Sequence, residues 1–163
     1  MSRKMLVGGL VVGLAALLIG FASIAGASSE VNGRRELHFK AVEHNVNQID
    51  VDQNGFTPGD YFVGSDDLMH EGNKAGIDSF QCTLTRGTPP QLLYFQCQVT
   101  DRFQNGQITF QGLVLGTEIN PGGTAHFAVT GGTGIYRNAR GEMTLHTSAT
   151  NPAIAQEVIR LIS

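Results

Sequence analysis

Apolar and polar residues alternate in short runs along most of this chain, and turn residues separate the runs. The segments of period two are Glu36–Glu43, Ile77–Arg86, Gln91–Arg102, Gln107–Gly116, Thr124–Thr130 and Glu142–Ala149. Alternation puts every second side chain on one face, which suits half-buried strands and not amphipathic helices. Repeated at this spacing, it means an antiparallel sandwich or barrel. Thr88-Pro89-Pro90, Asn105-Gly106 and Asn120-Pro121-Gly122-Gly123 supply turns, because proline presets one dihedral and Asn or Gly accepts positive φ. The end of the chain differs. Asn151 can cap a helix and Pro152 can start one, and Ile154, Val158, Leu161 and Ile162 then share one helical face. The sequence therefore predicts a short helix over 151–163, lying outside the sheet.

The first residues have another character. Arg3 and Lys4 precede an uncharged apolar stretch, Leu6–Gly26, which ends in Ala25-Gly26-Ala27. A positive start, an apolar run and small residues at its end make a secretory signal peptide over residues 1–27. The competing reading is an uncleaved anchor, since about 20 apolar residues span a bilayer. The glycines of the stretch and its Ala-x-Ala end favour cleavage, leaving no stable membrane anchor. Residues 28–35 then read as a flexible lead-in and 36–150 as the β domain. The working protein is expected outside the cytoplasm, secreted or periplasmic.

Hairpin arithmetic gives the inner face, because opposed residues have a constant index sum and point the same way. Centring one hairpin on Asn105-Gly106 pairs Phe103 with Ile108, Asp101 with Phe110, Val99 with Gly112 and Cys97 with Val114. The opposite parity holds Gln96, Gln98, Thr100, Thr109 and Gln111. Centring the preceding hairpin on Pro89-Pro90 pairs Cys82 with Cys97, Phe80 with Val99, Leu84 with Phe95 and Asp78 with Asp101. A Cys82–Cys97 disulfide suits an exported protein; two free buried thiols are the alternative. Asp78 and Asp101 become adjacent carboxyls on an otherwise apolar face. Two close acids in an apolar pocket cannot both ionise easily, so one is raised and can serve as a general acid. The bland alternative is two hydrated acids at a barrel mouth.

Several functions lack support. The net charge of −3 argues against broad nucleic-acid binding. His38, His44, His70, His126 and His146 are scattered without ligand spacing, so no metal is expected. No Gly-x-Ser-x-Gly elbow is present. The glycine-rich run near residue 131 has no Lys-Ser/Thr after it, which speaks against a phosphate loop.

That run is the most distinctive part of the chain. Ala128-Val129-Thr130-Gly131-Gly132-Thr133-Gly134-Ile135-Tyr136-Arg137-Asn138-Ala139-Arg140-Gly141 resembles the late V-x-G-G-T-G-x-(F/Y)-R-x-A-R-G motif of plant dirigent proteins. Allene oxide cyclases carry a similar stretch. Gly64-Ser65-Asp66-Asp67-Leu68 resembles the dirigent segment around D-D/D-P-L, and Glu43-His44-Asn45 resembles the cyclase E-x-N. Cys82, after Gly76-Ile77, falls where the cyclases have G-I-x-x-x-x-C. The resemblance covers about residues 36–150. A short chain without Asn-x-Ser/Thr sites suits a bacterial exported relative.

The resemblance implies an all-β fold, an eight-stranded antiparallel barrel with an internal pocket, often assembled as a homotrimer. It implies that Glu43 polarises a substrate, that Asn45 lines the pocket, and that Arg137 or Arg140 lies beside it. The two arginines could hold a substrate carboxylate, or equally lock their loop by ion pairs. With Asp78 and Asp101 these are the candidate catalytic groups. Phe80, Phe95, Val99, Phe110 and Gly112 are the candidate ligand wall. The implied function is to bind a small hydrophobic molecule and guide its cyclisation or stereoselective coupling, with no cofactor. A lipocalin-like carrier would use the same interior for binding alone.

Overall fold

A computed structural model describes residues 29–31, 34–87 and 92–162. The expected signal peptide and the Thr88-Pro89-Pro90 turn lie outside the described residues. The strands are β1 (Ser29–Val31), β2 (Arg34–Ile49), β3 (Tyr61–His70), β4 (Asn73–Arg86), β5 (Tyr94–Phe103), β6 (Gly106–Leu115), β7 (Thr124–Gly132), β8 (Gly141–Thr147) and β9 (Ile154–Ile162). Each pairs antiparallel with the next, and β9 pairs back onto β2 from Val42 with Ile154 to Arg34 with Ile162. β2 to β9 thus form a closed eight-stranded barrel without a free edge. Ser29–Val31, within the expected lead-in, pairs with Arg34–Glu36 on the side of β2 that β3 leaves open.

The inward residues follow the alternation of the sequence. On β5 they are Phe95, Cys97, Val99 and Asp101; on β7, Ala125, Phe127 and Val129, all buried. Gln98 and Gln111 point to solvent. The β4–β5 register matches the expected index sum at every named pair: Cys82 with Cys97, Phe80 with Val99, Leu84 with Phe95 and Asp78 with Asp101. Cys82 and Cys97 are joined by a disulfide. Chain-entropy estimates for a loop of this length give about 3 kcal/mol of stabilisation.

Two expectations are corrected. The β5–β6 turn is Gln104-Asn105, not Asn105-Gly106: Phe103 pairs with Gly106, Asp101 with Ile108, Val99 with Phe110 and Cys97 with Gly112. The slip is two residues, so each side chain keeps its face. Gly106, at φ 149°, stands where a Cβ would strike the Thr133 carbonyl, and that packing sets the turn. The second correction concerns 151–163. No C-terminal helix forms there; β9 does. Ala155, Glu157, Ile159 and Leu161 point inward at period two, and β9 supplies the ladder that closes the barrel on both sides. Eight paired strands satisfy their backbone groups, whereas a loose helix would leave β2 and β8 with open edges. One short helix, α1 (Gly116–Ile119), follows β6 instead.

The two ends of the barrel differ. At the end holding the β5–β6 turn, Phe39 stacks on Phe103 with centroids 5.0 Å apart, and Tyr136 packs on Phe103 at 5.5 Å. The glycine-rich motif forms this plug. A 3-10 turn, Gly134–Tyr136, folds Tyr136 inward, while the Ile135 N–H donates to the Asn105 carbonyl at 3.0 Å. Gly134 has φ 60°, and a Cβ there would overlap the Asn105 carbonyl. The motif closes the barrel through backbone contact that only glycine permits. The opposite end is open.

Candidate functional site

A cavity of about 440 Å³ enters the barrel from the open end. Volumes of this order hold small ligands. Phe62 from β3, Phe80 from β4, Phe95 from β5 and Phe127 from β7 line it. Phe56 comes from the β2–β3 loop and meets Phe62 and Phe95 at centroid distances of 5.1 and 6.0 Å. Buried Asp60 pins that loop, accepting the Val51 and Thr57 N–H groups at 2.7 Å each. These bonds, Thr57 first, lower its pKa. Gly116, Ile119 and Asn120 of the α1 segment add to the mouth.

Three carboxyls line this mostly apolar space: Glu43, Asp66 and Asp78. No Lys, Arg or His does so among the described residues. Glu43 pairs with Asp66 across β2–β3, and Asp66 with Asp78 across β3–β4. One Asp78 oxygen accepts the Asp66 backbone N–H at 3.0 Å. Desolvation, then repulsion from Asp66 and Glu157, pushes Asp78 up to about 8. Desolvation, then Glu43 and Asp67, pushes Asp66 to about 6. At neutral pH, Asp78 is therefore a protonated acid inside an apolar cavity, as a general acid requires.

Asp101 lies beside Asp78, fully buried and outside the cavity wall. Glu157 of β9 joins them, and oxygens of Asp78, Asp101 and Glu157 all fall within 4.8 Å of one another. Desolvation drives Asp101 well above the usual carboxylate range and Glu157 to about 7. Sequence reasoning missed Glu157, because a helix over the last residues hid its inward position. Asp66 had a signal: it sits in the Gly64–Leu68 match, two residues from Gly64 on the same face. A similar grouping at Asp50, Asp52 and Asp60 lies in the loop, where backbone N–H groups already occupy both Asp60 oxygens.

The remaining candidates separate into two groups. Phe80, Phe95, Val99 and Glu43 line the cavity, and Cys82 of the disulfide forms part of its wall. Phe110 is buried in the core, and Gly112 lies against the His126 carbonyl and the Phe127 ring. Neither of these lines the cavity. Asn45 is turned away. A bulge between Glu43 and Asn45 inserts His44, so Asn45 pairs with outward Ser65 and accepts its hydroxyl at 3.0 Å. Arg137 and Arg140 are exposed at the plugged end, away from the cavity wall.

The barrel has known counterparts. Residues 40–159 match the allene oxide cyclase barrel like domain, and the chain belongs to that family. No curated protein matches it. Among solved structures it resembles a pyocyanin demethylase, at 27% identity and TM-score 0.66, over 77% of this chain and 98% of that one. It also resembles a Diels-Alderase from Streptomyces koyangensis at 16% identity and TM-score 0.66, over 77% of this chain and 63% of that one. A pterocarpan synthase dirigent protein follows at 15% identity and TM-score 0.58, over 78% and 83%. The last two are likenesses of fold.

Proposed function

We propose that this barrel binds a small, flat, apolar molecule in its open end and that Asp78 donates a proton to it, guiding cyclisation or coupling without a cofactor. The observation that carries this reading is a largely buried carboxyl, Asp78, raised to about 8 by desolvation and placed in the wall of a mostly aromatic and aliphatic cavity. The wall orients the molecule and excludes water, and a proton delivered to one of its atoms directs where charge develops. The acids around the cavity favour a ligand whose polar atom is a base or hydrogen-bond acceptor and disfavour a carboxylate, because no cationic side chain among the described residues lines it. The pyocyanin demethylase brings pyocyanin in as a first test molecule, and the two fold neighbours fit a ring-forming or coupling role. The Cys82–Cys97 bridge, with the leader expected from residues 1–27 of the sequence, supports a working place outside the cytoplasm.

The test is to titrate pyocyanin and a polyunsaturated fatty acid into wild type and Asp78→Asn, and to follow both for turnover. The proposal expects pyocyanin to bind more tightly than the fatty acid, and Asp78→Asn to abolish any turnover. Equal binding and unchanged turnover in Asp78→Asn would contradict it. Binding of both molecules with no turnover in either protein would make the barrel a carrier.

A further inference from the structure

Behind the cavity wall the barrel buries two acids that touch no ligand space. Asp101 and Glu157 are 0% and 1% exposed. None of their four carboxyl oxygens has a hydrogen-bond partner from an N–H or O–H group. Asp101 sits opposite Ile108, and Glu157 opposite Phe39 and Leu145, so their own strands offer no counterion. The titratable groups facing them are few. Asp78 and Asp66 lie on the cavity side, with Glu43 beyond Asp66. Tyr136 lies on the plugged side, where the Arg35 guanidinium stands 5.6 Å from its ring.

Four carboxyl oxygens buried without a protein partner are costly, and two ionised carboxylates side by side cost more. One proton placed between Asp101 and Glu157 changes the sign of the interaction: repulsion becomes a charge-assisted O–H···O bond. Among the described residues no other donor is bonded to these four oxygens. We propose that Asp101 and Glu157 work as one acid that shares a single proton, and that the one negative charge this pair retains, lying behind Asp78, holds the Asp78 proton in place until a bound molecule takes it. When Asp78 gives its proton to that molecule, the product returns one to the same carboxylate. The pair keeps its own proton and its single charge throughout. No electron moves and no other reactant takes part. The two acids are positioning residues, since neither lines the cavity. Desolvation raises the Glu157 pKa to about 7, which agrees with such sharing.

This rests on the reading of Asp78 as the cavity acid, but its test needs no ligand, so a failure to bind pyocyanin would not alter the outcome. The measurement is a ¹³C NMR titration of the side-chain carboxyls in the disulfide-intact protein. Asp101 and Glu157 should titrate as a coupled pair, each curve showing two steps, with inflections shared by Asp78. Replacing Glu157 (Glu157→Gln) should leave Asp101 with one step and lower the Asp78 midpoint by about one pH unit or more. Single-step curves for Asp101 and Glu157 in the ordinary carboxyl range would overturn the proposal. So would an Asp78 curve unchanged in both Glu157→Gln and Asp101→Asn. Should these variants fail to fold, the wild-type curves decide alone.

Discussion

Asp78 of β4 and Asp101 of β5 are direct cross-strand partners, and both carboxyls point into the barrel. Each strand has an inward parity set by its apolar residues, so neither acid can leave the interior without slipping the register that joins Cys82 to Cys97. The disulfide and the acid pair are therefore fixed by one hairpin.

The first consequence is a pH dependence of stability. Asp78, Glu157 and Asp66 are raised to about 8, 7 and 6 in the folded protein. Between about pH 4 and pH 8 the fold holds protons that the unfolded chain has released, so stability is greatest at the acid end of this window and falls as pH rises. Urea midpoints measured across this range should decline with pH. A rise would mean that the acids are ionised in the fold.

The disulfide can be tested apart from the acids. Cys82→Ser with Cys97→Ser should lower unfolding free energy by about 3 kcal/mol while leaving the far-ultraviolet spectrum of a barrel. An unchanged denaturation midpoint would mean that the cross-link contributes little to the hairpin.

The glycine-rich motif and its arginines should respond oppositely. Gly134→Ala forces a left-handed conformation on a residue whose Cβ meets the Asn105 carbonyl, and should cost at least about 1 kcal/mol. Arg137→Ala and Arg140→Ala, at exposed positions of the plugged end, should leave ligand affinity within about twofold. A large loss of binding in either arginine variant would restore the role that the motif's resemblance implied.

At the open end, Phe56→Ala removes the ring that packs on Phe62 and Phe95. Pyocyanin affinity should fall about tenfold, close to 1.4 kcal/mol. Isothermal titration of wild type and variant checks this; equal affinities would place the ligand away from the loop.

Much of this barrel was legible in the chain, for a physical reason. Where one face is wholly apolar, as on β5 through Phe95, Cys97 and Val99, period two is plain and the register follows from the turn. Legibility failed where the site itself interrupts the pattern. Glu157 is an inward residue of β9, and its charge breaks the alternation of Ala155, Ile159 and Leu161. What remained, Ile154, Val158, Leu161 and Ile162, imitated a helix. On β3, Asp66 does the same between Gly64 and Leu68, and no clean strand pattern emerged. The bulge at His44 has no local sign either, so Asn45 kept an inward place in the sequence that it does not have in the fold. A functional acid in a core is a local violation of the pattern that reveals the fold.

The central claim is that Asp78 carries a proton at neutral pH. An infrared spectrum at about pH 7 of wild type and of Asp78→Asn tests it directly, because a protonated carboxyl has a C=O stretch that a carboxylate lacks. The account expects a carboxylic-acid band that is weaker in Asp78→Asn than in the wild type, with the difference between the two fading as pH passes about 8. Identical spectra for the two proteins at neutral pH would contradict it.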